Sequence, residues 1–116
     1  MSLTPQAVVN IAALAAEDKK ATDMKILDIR DLSVIADYFV ICSGRSSPHV
    51  QAIAENIREQ LEKEEILISH QEGFREGTWV LLDYGDVIVH IFLEEEREFY
   101  KLERLWGDAP VVSAPI

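Results

Sequence analysis

Long apolar runs are missing from this 116-residue chain. No stretch reaches the ~18 apolar residues that a membrane-spanning helix needs. Cysteine is nearly absent too. Cys42 stands alone, so an internal disulfide is excluded and a reducing, cytoplasmic setting is expected. Bases are scarce: 11 Lys and Arg face 21 Asp and Glu, a formal net charge of −10. A chain so acidic does not hold a phosphate backbone by bulk charge, because that takes local Lys and Arg. Little direct nucleic-acid contact is expected, and basic protein surfaces are the natural partners. The N-terminus lacks the basic start and continuous apolar stretch of a secretory signal. There is no internal repeat, low-complexity tract or interior linker. What is present is ordinary globular material, 48% hydrophobic and 28% charged. It is enough for one domain and one core.

The apolar pattern divides this domain into elements. Thr4 as cap and Pro5 in the first turn open a helix, along which Val8, Ile11, Ala12 and Ala15 recur at helical spacing. The polar cluster Glu17–Lys20 ends its stripe. Lys25–Leu32 alternates imperfectly, as a half-buried strand does. Asp37–Gly44 carries a continuous run of β-formers, expected of a strand covered on both faces. Ser47 as cap and Pro48 as first residue begin a second helix, with Val50, Ile53, Ala54, Ile57 and Leu61 on one face. Thr78–Asp83 and Val87–Leu93 form a hairpin about Gly85. Strand parity places Val80, Leu82, Tyr84, Val87, Val89 and Ile91 on one face, which is plain core. The opposite face joins Trp79, Leu81, Asp83, Ile88, His90 and Phe92, mixing large apolar groups with an acid and an imidazole. A last helix is expected over Glu96–Trp106, with Gly107 at its end. With a further strand expected after the second helix and before the hairpin, the order αββαβββα predicts an α/β fold, a mixed sheet packed with helices. Residues 1–107 form the domain and 108–116 a loose tail.

Evidence of catalysis is thin. Asp83 and Asp86 flank the hairpin turn, where two carboxylates suit a cation but where Asp also serves the turn itself. The turn Gly44–Ser47 offers amides at a helix start without the spaced glycines and lysine of a phosphate loop. A small nucleotide-binding or nucleotidyltransferase-like enzyme using that turn is the second functional reading. His49, His70 and His90 have no zinc-ligand spacing, His90 reads as a packed, hydrogen-bonded core histidine at least as readily as a contact residue, and no metal or cofactor is expected. Cys42 reads as a small core residue. Glu94–Glu96 reads as a solvated helix entry. Trp79 has two readings of equal standing: an anchor on a binding surface, or a residue covered by a helix of its own chain.

Three blocks of sequence resemble one family. Asp37-Tyr38-Phe39-Val40-Ile41-Cys42-Ser43-Gly44-Arg45-Ser46-Ser47-Pro48-His49-Val50 is similar to the central signature of the ribosomal silencing factors, also called Iojap-like. Trp79-Val80-Leu81-Leu82-Asp83-Tyr84-Gly85-Asp86-Val87-Ile88-Val89-His90 resembles the second signature, and the segment from Arg97 to Trp106 the closing helix. The resemblance implies a nucleotidyltransferase-like fold that has lost its enzymatic activity. It implies a translational repressor that binds the large ribosomal subunit through its ribosomal protein fourteen. There it blocks joining of the small subunit and damps translation under nutrient limitation. A homodimer is implied as well. The chain's own residues agree with lost catalysis. Gly44-Arg45-Ser46 is similar to the transferase turn, yet the next strand has no D-x-D or D-x-E pair, and His90 stands in the last long strand where an acid would be needed. The family's partner surface carries over onto Trp79, Asp83, Asp86 and His90. Asp37, Gly44 and Ser47 match the motif with structural roles.

Overall fold

The computed structural model describes residues 4–96 and 109–116. The elements are α1 (Pro5–Asp18), β1 (Thr22–Asp28), β2 (Tyr38–Gly44), α2 (Ser47–Lys63), β3 (His70–Glu72), β4 (Trp79–Asp83), β5 (Val87–Leu93) and β6 (Val111–Val112). The helix expected over Glu96–Trp106 lies, beyond Glu96, outside the described residues.

The six strands form one sheet in the order β3-β4-β5-β2-β1-β6. β2 and β5 run parallel at its centre, and the other neighbours are antiparallel. The mixed α/β sheet expected from the sequence is thus present. Central position explains β2: all seven of its residues are buried. Tyr38, Val40 and Cys42 face α1 and α2, packing with Val8, Ala12, Ile53, Ile57 and Leu61. Phe39 and Ile41 face the other way, into a second cluster with Leu27, Ile29, Ile88 and Phe92. Asn56 fastens the two helices together, its Nδ2 donating 2.8 Å to the Ala15 carbonyl. Paired inside the protein, that amide satisfies a carbonyl that would otherwise be orphaned.

Local chemistry moves several boundaries. Thr4 caps α1 as expected, its hydroxyl accepting from the Ala7 amide at 3.1 Å. For α2 the cap is Ser46 rather than Ser47: the Ser46 hydroxyl accepts from His49 N at 3.2 Å. Ser47 and Pro48 are then the first two helical residues. β1 ends at Asp28, four residues before the expected Leu32. Asp28 Oδ1 accepts from the Arg30 amide at 3.1 Å, and Leu32 and Ser33 both donate to the Ile29 carbonyl at 3.0 Å. These bonds curl the chain out of the sheet, which alternation alone does not reveal.

The segment 108–116 is not a loose tail throughout. Val111 and Val112 pair with Leu27 and Ile26 of β1, and Asp28 N donates to the Pro110 carbonyl at 2.9 Å. The Asn10 side chain grips the backbone of Ile116 in both directions, at 2.8 and 3.2 Å. A two-residue strand carries no readable period, and its hold comes from these backbone bonds.

Candidate functional site

The hairpin has the parity expected of it. Trp79 pairs with Phe92, Leu81 with His90, and Asp83 with Ile88, so all six lie on one face. Gly85, with φ +86°, opens the tight turn. Asp83 Oδ1 accepts from Gly85 N at 2.8 Å, the side-chain-to-backbone bond for which aspartate is favoured in turns. The Asp86 carbonyl accepts from Asp37 N at 2.7 Å and Tyr38 N at 3.1 Å. The turn is thereby tied to the start of β2, and Asp37 lies beside it. Asp86 is exposed, while Asp37 and Asp83 are half-buried.

At the far end of β4 sits an aromatic cluster. The Trp79 indole stacks on Phe92 with centroids 5.0 Å apart. Its Nε1–H donates to His90 Nδ1 at 3.1 Å. Phe39 meets the His90 ring edge-on at 4.9 Å. Because Nδ1 accepts, the neutral imidazole carries its proton on Nε2, and that atom has no hydrogen-bond partner among the described residues. Burial among rings pushes the His90 pKa down to about 4, since nothing charged compensates the desolvation of the imidazolium. His90 is 4% exposed, so it offers a partner no surface. Its role is to hold Trp79. Trp79 itself is half-buried.

The four residues assigned to the partner surface therefore do not form one cluster. Trp79 and His90 touch, and Asp83 and Asp86 share the turn. The two groups are separated by the length of β4, roughly 13 Å. Sequence reasoning missed the bulky residues at the turn's end of the sheet. Leu32, Val34 and Ile35, in the loop between β1 and β2, are exposed. The only hint was that two apolar residues stand together beyond the strand's last alternation.

The turn Gly44–Ser47 is engaged within the chain. Arg45 N donates to His49 Nδ1 at 2.9 Å, so the His49 proton sits on Nε2, which donates to the Lys19 carbonyl at 2.6 Å. Val50 N donates to the Ser46 carbonyl at 2.9 Å. The segment before β4 lies over the helix start. A Cβ on Gly77 would stand 2.8 Å from Ser47 Cβ, and Gln51 Nε2 reaches the Phe74 carbonyl at 2.8 Å. The Arg45 amide is thus committed within the chain, and the segment before β4 packs against the helix start where a phosphate would have to sit. Among the described residues no three His, Cys, Asp or Glu side chains are grouped to hold a metal ion.

Residues 2–116 match the family described as "Ribosomal silencing factor during starvation". The chain is 48% identical to the ribosomal silencing factor RsfS of Bacillus subtilis, over 94% of this chain and 92% of that one. It is 37% identical to the chloroplastic protein Iojap of Zea mays, over 89% of this chain and 45% of that longer one. A crystal structure of a Chromobacterium violaceum protein superposes with a TM-score of 0.89 at 34% identity, covering 90% of this chain and 88% of the other. On its sequence and its fold together, this chain belongs to the ribosomal silencing factor family.

Proposed function

We propose that this chain is a ribosome-associated silencing factor that docks on the large subunit through ribosomal protein fourteen. Once docked, its bulk occludes the face that the small subunit must meet, and translation is damped when nutrients run short. It acts by occupying space, with no bond made or broken, and so needs no cofactor and no catalytic group. It works in the cytoplasm, and a homodimer is its resting form.

One observation carries the reading: the turn end of the sheet is rich in acids, with no Lys or Arg in β2, β4 or β5 themselves, and Arg30, which lies over Tyr38, is already paired with Asp28. Asp83 and Asp86 lie beside Asp37, and neither 31–44 nor 77–96 contains a Lys or Arg. Such an end attracts a basic protein surface and repels RNA phosphate. Trp79, fixed in orientation by His90 and Phe92, gives the same face a rigid aromatic side chain of the kind that anchors interfaces.

The test is sedimentation with purified ribosomal subunits, alongside calorimetric titration of nucleoside triphosphates with Mg²⁺. The proposal expects co-sedimentation with the large subunit alone and no heat from nucleotide. Binding to nucleotide without binding to the large subunit would overturn it.

A further inference from the structure

The loop between β1 and β2 presents three large apolar side chains to solvent. Val34 is 104% exposed, Ile35 71% and Leu32 46%. Folding gains nothing from Val34 in that position, and an apolar cluster of this kind on a soluble domain marks an interaction site.

The loop is also held in place. Its first residues are bound back to the Ile29 carbonyl, and Ile35 N donates to Ser33 Oγ at 3.0 Å. Ala36, which follows, is buried. At the entrance, Arg30 grips Asp28 through two side-chain bonds of 2.9 and 2.6 Å and lies over the Tyr38 ring, 5.3 Å from its centroid. A shallow hollow of about 450 Å³ opens within the loop, lined by Arg30 through Ile35. Side chains displayed on a pinned loop lose little freedom on binding, which is what a preorganised contact requires.

Charge selects the occupant. The loop ends at Asp37, whose amide bonds to the Asp86 carbonyl at 2.7 Å, so the apolar side chains stand beside the acidic turn. Asp31 lies within the loop, Asp37 ends it, Asp83 and Asp86 belong to the turn to which Asp37 is bonded, and the one base of the loop, Arg30, is already paired with Asp28. A second copy of the chain would bring the same acids against these.

We propose that Leu32, Val34 and Ile35 form an apolar knob that seats in a hydrophobic socket rimmed by Lys and Arg on the ribosomal protein partner. This rests on the docking reading above and adds residues to it. The knob supplies the short-range contact and the surrounding carboxylates supply orientation, the division seen where an apolar core is ringed by charge.

The experiment measures binding of the full chain to the isolated ribosomal protein, together with sedimentation velocity of the free chain. Four proteins are compared: wild type, the double variant Val34→Ser/Ile35→Ser, Val34→Glu and Val34→Lys. All substitutions are at exposed positions, and urea midpoints verify folding. The double variant is expected to bind at least tenfold more weakly with an unchanged unfolding midpoint. Val34→Glu is expected to lose less than Val34→Lys, because the socket's rim is basic. Wild-type affinity in the double variant would overturn the knob while leaving the docking reading intact. Absence of wild-type binding would overturn both. Weakened self-association with unchanged partner binding, or Lys tolerated better than Glu, would assign the knob to a second copy of the chain and so overturn the proposal.

Discussion

Acidification should destabilise this protein chiefly through His90. In the fold the imidazole has a pKa of about 4 against an ordinary 6.5, and burial is the cause. The unfolded chain recovers the ordinary value. Between the two, the unfolded state binds a proton that the folded state refuses. Stability is therefore fully present above pH 6.5, falls as pH drops towards 4, and levels off below. A fall from 6.5 to about 4, at ~1.4 kcal/mol per pH unit, amounts to about 3 kcal/mol. That is a large share of the ~5–15 kcal/mol a domain has in total. The hydrogen bond points the same way, because protonating Nδ1 removes the acceptor of Trp79 Nε1–H. Urea titrations at half-unit steps from pH 7 to 4 read the effect, for wild type beside His90→Phe and His90→Gln. Both variants are expected to be less stable at pH 7 but much flatter in pH. The slope carries the result, so a loss of stability common to all pH values does not obscure it. Asp28, held below the usual carboxylate range by Arg30, loses its contribution only as pH falls below its ordinary 3.8. Equal slopes in wild type and both variants between pH 6.5 and 4 would refute the assignment.

Three further outcomes are expected. Ser46→Ala should cost about 1 kcal/mol of stability through loss of the α2 cap, whereas Ser47→Ala, which keeps the Cβ that Gly77 packs against, should be close to neutral in thermal unfolding. Trp79→Ala should weaken binding to the ribosomal protein by more than ~1 kcal/mol; a loss of binding that simply follows loss of fold in circular dichroism would make Trp79 a core residue only. Raising salt from about 0.05 to 0.3 M shortens the Debye length from roughly 14 to 6 Å, so stopped-flow association with the isolated ribosomal protein should slow clearly while dissociation changes less. An association rate that rises with salt would contradict the acidic docking surface.

Much of this fold is legible in the sequence because its strongest signals are periodic. The run Tyr38–Cys42 announces a strand buried on both faces, and β2 is flanked by β1 and β5 with a cluster on each side. Parity across Gly85 was enough to sort Trp79, His90 and Phe92 onto one face. Boundaries set by single hydrogen bonds are not periodic. The choice of Ser46 over Ser47 depends on which hydroxyl faces His49 N, and the early end of β1 depends on Asp28 turning back to Arg30. β6 is too short to show any pattern, and it exists because β1 offers it an edge.

The candidate site was only partly readable for a similar reason. Alternation places His90 on the mixed face but does not say how deeply the rings of Phe39, Trp79 and Phe92 enclose it, and that enclosure turns a supposed contact residue into a support. Conversely, Val34 and Ile35 look like ordinary core residues in sequence. Only the turn at Ile29 leaves them in solvent.

The central proposal is that this chain keeps the two ribosomal subunits apart by occupying the large one. Light scattering during mixing of purified large and small subunits measures joining directly. Preincubating the large subunit with the wild-type chain should abolish the rise in scattering in proportion to occupancy. Preincubating the small subunit with the chain, and removing unbound chain before the large subunit is added, should leave joining unchanged. Full joining at saturating occupancy of the large subunit would contradict the account.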